Sequence, residues 1–368
     1  MSSRPSYLIT DRNYLPSLDG WRGVVSLFVM SYHFSLLFFY TNFTPYGYLG
    51  VDFFFALSGF IITRQYEASI AMHTIKFKTF AIRRIARLYP LYIASIGFFL
   101  LVNAYVLQPL HWIHALDYGI GPLYAWRVFL QLTMLGNLTV MAQPNGPVWS
   151  VSVEWIVNLM FFAVVWRYRR IPDLILWIAV VFGSCYLISM SPYTLQTPGV
   201  SIAIIRGIVG FTLGSLLFRH HRDLPDFSSR DLHIVEQILF VFILLLTYFY
   251  RDLADYSIDY VFQLVLFPAL IMISLYRNGW ICRIFSLPPI TFLGRISYSI
   301  YLLHYPLAYT MEYVSSIHAI GHPWLGILYI IVLISLSTLS YKLIERPGRH
   351  LGRLLTAKAG EPKPADPA

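Results

Sequence analysis

The sequence predicts an all-α, polytopic membrane protein with about ten transmembrane helices and both termini in the cytoplasm. Of the 368 residues, 57% are hydrophobic and only 12% are charged, about half the charged fraction of a soluble domain. The mean hydropathy is +0.61. A helical span needs about 20 apolar residues, so ten spans would use roughly 200 residues and leave short loops. This composition excludes a water-soluble globule, a disordered chain and a coiled coil.

Ten apolar segments are long enough to be candidate spans. The first one lacks a small-residue cleavage site and is longer than the core of a signal peptide, so it is predicted to be retained as a span. The ten segments are 21–40, 47–63, 88–107, 148–166, 174–190, 200–218, 234–250, 258–276, 290–310 and 324–343.

The basic residues predict the orientation of these spans. If the weaker apolar stretch 124–141 is re-entrant or interfacial, 23 of the 27 Lys and Arg residues fall on the cytoplasmic side. Only Arg127 and Arg251 fall on the far side, while Arg206 and Arg295 lie inside apolar segments. The net charge of +9 therefore reflects membrane orientation, and no nucleic-acid partner is expected.

The distribution of apolar and basic residues divides the chain into two regions. Residues 1–356 form one integral membrane domain, and 357–368 form a short cytoplasmic tail whose Pro/Ala/Lys-rich composition predicts disorder. Cys185 and Cys282 offer no disulfide framework and no zinc pattern, so we expect no metal.

Ionisable residues at membrane depth are functional candidates, because burying them costs several kcal/mol. Five of them lie about 8–12 Å in from the non-cytoplasmic ends of their spans, at a rise of 1.5 Å per residue. They form a predicted outer layer of His33, Asp52, Glu154, Arg206 and His304. The competing interpretation is a set of paired buried charges that only fix helix packing.

A second, inner layer is rich in arginine. It comprises Arg22, Arg64, Arg83, Arg84, Arg87 and Arg295. The positive-inside rule explains any one of these residues, but the crowding of three arginines within 83–87 is typical of sites that bind phosphates. Arg22 and His33 are 11 residues apart, so they share one helix face about 16 Å apart along the axis.

Two polar stripes are predicted to face the protein interior. Ser150, Glu154 and Asn158 recur at helical spacing, as do Ser297, Tyr301 and His304. The Gly210 and Gly214 pair predicts a close helix–helix contact.

Several stretches resemble acyltransferase family 3, a family of integral membrane proteins. They are LDGWRG at 18–23 with His33, GYLGVDFFFALSGF at 47–60, RRIARLYP at 83–90, GPVWSVSVEW at 146–155, GRISYSIYLLHYP at 294–306 and ERP at 345–347. The resemblance implies a ten-helix protein of the plasma membrane that transfers an acyl group, usually acetyl from acetyl-CoA, to a hydroxyl of a sugar or polysaccharide, free or lipid-linked. The chain resembles the stand-alone type, without a fused extracytoplasmic hydrolase-like domain.

The family's motifs map onto particular residues. Its Arg-x10-His motif matches Arg22 and His33, its Ser-Gly-Phe motif matches Ser58 and the two residues after it, and its intramembrane Glu matches Glu154.

The two layers suggest a mechanism. Arg84 and Arg87, helped by Arg22 and Arg83, would hold the phosphates of acyl-CoA, with Ser58 also assigned to the donor site. His33 would act as general base or accept the acyl group transiently. Glu154 or Asp52 would orient the imidazole of His33. Arg206, Tyr301 and His304 are assigned to the acceptor. Donors for the oxyanion of the reacting carbonyl could be Ser58, Tyr301 or a backbone N–H.

Two other classes remain open on the sequence. A transporter or flippase of sugar-lipids would also need intramembrane charges and ten or more spans. A structural subunit of a polysaccharide synthase would tolerate changes at His33. The donor site separates these classes, because only an acyltransferase needs to bind acyl-CoA.

Overall fold

The computed structural model describes residues 14–39, 44, 46–102, 129–136, 145–190, 200–249, 257–318 and 322–357. Within these ranges every regular element is a helix, which confirms the all-α prediction there. The helices are α1 (Pro16–Phe39), α2 (Gly50–Ala71), α3 (Phe77–Val102), α4 (Val148–Tyr168), α5 (Asp173–Met190), α6 (Val200–His220), α7 (Ser229–Phe249), α8 (257–273), α9 (Trp280–Phe285), α10 (Pro288–His318), α11 (His322–Ser340) and α12 (Arg346–Thr356).

Two of these helices contain or continue into a π-helical turn. Phe262–Leu266 forms one inside α8, and Tyr341–Glu345 joins α11 to α12. Short 3-10 turns at Gly47–Leu49 and His221–Asp223 precede α2 and follow α6.

Each of the ten predicted spans overlaps one of the longer helices. In the described part of the chain, six helices are long and apolar enough to cross a bilayer. They are Gly47–Ala71, Phe77–Val102, Val148–Tyr168, Asp173–Met190, Ser201–Asp223 and Trp324–Thr356. The other four predicted spans coincide with α1, α7, α8 and α10. The chain is therefore a multi-pass membrane protein.

Ring and ion-pair contacts bring several helix ends together. His73, in the turn between α2 and α3, packs its ring 4.2 Å from that of Trp166 near the end of α4. Arg219, at the end of α6, forms ion pairs with Glu67 of α2 and Asp173 of α5. Because α3 begins and α4 ends at this one end of the bundle, the chain leaves α3 and enters α4 at the opposite end.

That geometry bears on the weak stretch 124–141, which is predicted not to span. Most of it lies outside the described residues, as do Arg127 and Arg251, Arg4 and Arg12 near the start of the chain, and the tail 358–368. The described part contacts α3, where the Tyr92 hydroxyl donates to the carbonyl oxygen of Gln131 at 3.0 Å.

Close helix packing depends on glycine at the contact between α2 and α6. A Cβ at Gly214 would overlap the carbonyl oxygen of Ala56, and one at Gly210 would lie 2.7 Å from Cβ of Phe55. The predicted close contact is therefore confirmed, and the two backbones approach as small-residue helix pairs do in membranes. This contact fixes the position of α2, which carries Asp52 and Ser58.

Candidate active site

A cavity of about 310 Å³ lies among five helices. Its walls come from α1 and the residues just before it, and from α2, α3, α4 and α10. Both predicted polar stripes contribute to it, Ser150 and Glu154 from α4 and Ser297 and Tyr301 from α10. The remainder of the wall is largely apolar, which is typical of ligand pockets.

Arginine side chains gather where the cavity meets the starts of α1 and α3. Arg22, Arg64, Arg84 and Arg87 all line the cavity. Arg22 forms an ion pair with Asp19 at 3.1 Å. Arg87 makes no hydrogen bond or ion pair with any of the described residues. A guanidinium that faces a cavity without a carboxylate partner is suited to bind an anionic ligand.

Arg84 differs from Arg87 because its charge is already neutralised. Its guanidinium donates to Oε1 of Glu154 at 2.6 Å, and only 3% of its side chain is exposed. The Ser58 hydroxyl donates to the same carboxylate oxygen at 3.0 Å. The Glu154 side chain is 24% exposed and lines the cavity. It lies between the arginine end, where Arg22 and Arg87 are found, and the inner end, where Tyr301 is found.

The structure does not bring Arg83 to the cavity, although the sequence assigns it to the donor site. Its Nε donates to the Thr356 hydroxyl in α12 at 2.9 Å. Three successive residues advance a helix by about 300°, so Arg84 and Arg87 face nearly the same way, whereas Arg83 is turned about 100° from Arg84. Arg83 therefore ties α3 to α12.

The predicted outer layer does not stay together: Glu154 pairs with Arg84 of the predicted inner layer, and the other four residues form two separate groups. One group contains His33 and His304, whose rings are 5.0 Å apart, with Nε2 of His304 3.2 Å from Nδ1 of His33. The sequence leaves open whether Glu154 or Asp52 orients His33. Among the described residues neither carboxylate contacts His33. Its side-chain hydrogen-bond partner is the imidazole of His304, and its ring also packs against those of Tyr32 and Tyr305.

The other group is a buried ion pair between Asp52 and Arg206. The guanidinium donates to both carboxylate oxygens at 2.7 and 2.6 Å, and the two side chains are 0 and 1% exposed. The Gln263 amide adds a third hydrogen bond to Asp52 at 2.9 Å. Asp52 and Arg206 do not line the cavity and neutralise each other, whereas the sequence assigns them to catalysis and to the acceptor.

Tyr301 connects the cavity to the histidine pair. Its hydroxyl lies 2.7 Å from the Ser150 hydroxyl and donates to the Pro147 carbonyl at 3.3 Å. Its ring is 6.0 Å from that of His304. His33 and His304 do not line the cavity, so the imidazole pair lies one turn of α10 beyond its inner end.

Sequence reasoning misses two polar residues in α8 and one residue of the cavity wall. Asp259 accepts a hydrogen bond from the Tyr48 hydroxyl at 2.6 Å, and Gln263 binds Asp52. These two lie at i and i+4 in an apolar span, so the stripe pattern used for α4 and α10 would have found them. Tyr298 lines the cavity while its hydroxyl donates to the Leu88 carbonyl at 2.7 Å.

Sequence comparison matches the chain to a known family. The profile of a family described as "Acyltransferase domain" matches residues 15–342. No solved structure shows significant similarity to the chain.

Several bacterial proteins are similar over most of the chain. "Putative peptidoglycan O-acetyltransferase YrhL" of Bacillus subtilis (strain 168) is 28% identical, covering 92% of this chain and 55% of that protein. "Peptidoglycan O-acetyltransferase OatA" of Listeria monocytogenes is 25% identical, covering 93% and 57%. A Staphylococcus aureus (strain COL) protein named "Putative O-acetyltransferase" is 25% identical, covering 92% and 58%. The chain thus spans somewhat more than half the length of these relatives.

The profile covers the helices that build the cavity and both imidazoles. The chain therefore belongs to acyltransferase family 3.

Proposed function

We propose that the chain is a membrane O-acetyltransferase that moves an acetyl group from acetyl-CoA to a hydroxyl of a sugar-containing acceptor. One observation carries the proposal: a cavity extends from Arg87, which has no carboxylate partner among the described residues, to Tyr301, whose ring lies 6.0 Å from that of His304. The names of the relatives support acetyl as the acyl group and a cell-wall glycan as the acceptor.

The arginine end of the cavity is the proposed donor site. Arg87 has no carboxylate partner among the described residues. Arg22, which is part-exposed and pairs with Asp19, also lies on the cavity wall, so the two would bind the phosphates of CoA. Arg84 supports this site less directly, because Glu154 already neutralises its charge. Ser58 and Glu154 border the path that the pantetheine arm would follow to the inner end.

His33 is the proposed general base. The acceptor O–H proton moves to Nε2 of His33, and the acceptor oxygen forms a bond to the thioester carbonyl carbon. The tetrahedral intermediate then collapses with cleavage of the C–S bond. The departing thiolate takes the proton from His33, so the products are the O-acetyl ester and CoA thiol, and His33 returns to its starting state.

Tyr301 is the proposed donor to the oxyanion. It is the cavity residue whose ring packs against His304, and its hydroxyl lies at the inner end. The Ser58 hydroxyl donates to Glu154 and the Tyr301 hydroxyl donates to the Pro147 carbonyl, so either would have to exchange that bond for one to the oxyanion. Tyr301 is preferred because it lies nearer to the histidine pair. The reaction would bring the thioester past Ser150 to reach the histidine pair.

We also propose ten spans with both termini cytoplasmic, so that the arginine end faces the cytoplasm of a plasma-membrane protein. The contacts of His73 and Arg219 support this topology, because they bring the basic turns to one end of the bundle. A Met72→Cys variant with Cys185 and Cys282 replaced by serine should react with a membrane-impermeant maleimide only after the cells are permeabilised. Labelling of Met72→Cys in intact cells would indicate the opposite orientation, with both termini outside the cytoplasm.

Thiol release tests the activity directly. Purified protein in nanodiscs, given acetyl-CoA and a soluble oligosaccharide, should release CoA thiol and yield an O-acetylated product visible by mass spectrometry. Arg87→Gln should raise the KM for acetyl-CoA by about tenfold, the equivalent of roughly 1.4 kcal/mol. His33→Ala should lower kcat by about 10² to 10⁴-fold and leave a measurable residual rate.

Arg167→Gln is the matched control for loss of a positive charge, because Arg167 is exposed at the end of α4. Its kinetics should equal those of the wild type. A fully active His33→Ala protein would refute the proposed chemistry. Absence of thiol release from well-folded protein would instead favour a sugar-lipid flippase or a structural subunit.

A further inference from the structure

We infer that His304 is a positioning residue that holds the proton of His33 on Nδ1 and leaves Nε2 of His33 as the free base. The inference rests on the proposed function of His33 and assigns the orienting role to a residue that the sequence places with the acceptor. It follows from the hydrogen-bond partners of the two rings.

Both Nδ1 atoms contact a carbonyl oxygen of their own helix. Nδ1 of His33 lies 3.1 Å from the Val29 carbonyl, and Nδ1 of His304 lies 3.3 Å from the Ile300 carbonyl. A carbonyl oxygen can only accept a hydrogen bond, so each Nδ1 carries the proton. Neutral His304 then has its lone pair on Nε2, which is the atom that faces Nδ1 of His33 at 3.2 Å.

The proton on Nδ1 of His33 is therefore shared between two acceptors, the Val29 carbonyl and Nε2 of His304. Within the described residues Nε2 of His33 has no hydrogen-bond partner. The tautomer of a histidine is set by the bond that its other nitrogen makes. His304 thus acts on His33 as a carboxylate acts on the base of a catalytic triad, but without a charge.

The surroundings explain why a neutral partner occupies this place. Both candidate carboxylates are bound elsewhere, Asp52 by Arg206 and Glu154 by Arg84. His304 is fully buried, and its backbone carbonyl accepts a hydrogen bond from the Tyr329 hydroxyl at 2.9 Å. When His33 takes the acceptor proton, its Nδ1–H still donates to His304, so the pair needs no rearrangement during transfer.

Two substitutions of His304 separate this role from packing. His304→Gln keeps a hydrogen-bond acceptor on a side chain of similar reach, whereas His304→Leu keeps bulk but has none. We expect His304→Leu to lower kcat by about 10² to 10³-fold, the range of a lost acid–base contribution, with the KM for acetyl-CoA unchanged. His304→Gln should recover most of this loss, to within about tenfold of the wild type.

The same pair of substitutions at His220 provides the control, because that side chain is 48% exposed and lies outside the cavity. Both His220 variants should match the wild type. Equal loss in His304→Leu and His304→Gln would overturn the inference, and so would a loss confined to KM. The folded yield of each variant by size-exclusion chromatography shows whether kinetics are being compared on intact protein.

A double variant keeps the test valid if His304→Leu folds poorly. If His304 acts through His33, adding His304→Gln to His33→Ala should cause no further loss. A further loss equal to that of His304→Gln alone would overturn the inference. Full activity of His33→Ala would instead refute the proposed function itself, whereas an inactive His33→Ala beside a fully active His304→Leu would overturn the inference alone.

Discussion

Replacing Asp52 by asparagine tests whether this carboxylate serves structure or chemistry. The substitution keeps the shape of the side chain and removes its charge. Asp52 accepts two hydrogen bonds from Arg206, at 2.7 and 2.6 Å, and one from Gln263 at 2.9 Å, with both charged side chains at most 1% exposed. Asp52→Asn would therefore leave the Arg206 guanidinium buried without an opposite charge.

The expected cost follows from that burial. Removing one partner of a buried ion pair costs about 3–5 kcal/mol, because the remaining charge is uncompensated. At roughly 2 °C per kcal/mol for a chain of this size, the Tm should fall by about 6–10 °C. Arg206→Gln should cost a similar amount. The double variant should be more stable than either single variant, because it removes both charges together.

Thermal unfolding in detergent, followed by fluorescence-detected size exclusion, measures the Tm. Asp223→Asn is the matched control, since that carboxylate is 74% exposed and its one ion-pair partner among the described residues is the exposed His220. Its effect should stay within about 0.5 kcal/mol. The thiol-release rate of each variant is then measured well below its Tm.

The reasoning would be refuted by the opposite pattern of stability and activity. If Asp52→Asn leaves the Tm unchanged and abolishes turnover, the carboxylate acts in catalysis, as the sequence suggests. The same conclusion would follow if the double variant regains stability but remains inactive.

Three further predictions concern packing and the cavity. Gly214→Ala should destabilise the protein by about 1–3 kcal/mol, because its Cβ would overlap the α2 backbone. Gly97→Ala is the control and should be neutral or slightly stabilising, because its Cβ would meet nothing within 4 Å. Equal Tm values for the two variants would contradict the close packing. Tyr301→Phe should lower kcat by about 10² to 10³-fold with an unchanged donor KM, and wild-type kcat would exclude its hydroxyl as the oxyanion donor. Glu236→Ala should cost about 2–4 kcal/mol in unfolding experiments, because it leaves two backbone N–H groups at the start of α9 without their 2.9 Å partners; an unchanged Tm would show that water replaces the carboxylate.

Much of the fold could be predicted from the sequence because the bilayer imposes simple rules. Apolar length gives the helices, and each of the ten predicted spans overlaps a helix. Helical spacing identified the interior faces of α4 and α10, since Ser150, Glu154, Ser297 and Tyr301 all line the cavity. The Gly210 and Gly214 pair likewise predicted a real backbone contact.

The partners of the buried charges could not be predicted in this way. Depth along a span follows from residue number, so the sequence could place five ionisable residues inside apolar segments, namely His33, Asp52, Glu154, Arg206 and His304. Depth alone does not say which helices are neighbours. The contact of α2 with α6 gives Asp52 to Arg206, and the contact of α1 with α10 gives His33 to His304.

The arginine cluster shows the same division between sequence and structure. The sequence by itself determined that the chain is an all-helical membrane protein with its basic residues gathered near 83–87, because composition and helical period depend on local order alone. Only the tertiary structure decided that Arg87 lines the cavity without a carboxylate partner among the described residues, that Glu154 neutralises Arg84, and that Arg83 hydrogen-bonds to α12. The physical reason is that a charge inside a membrane protein is defined by the group that neutralises it, and that group lies on another helix.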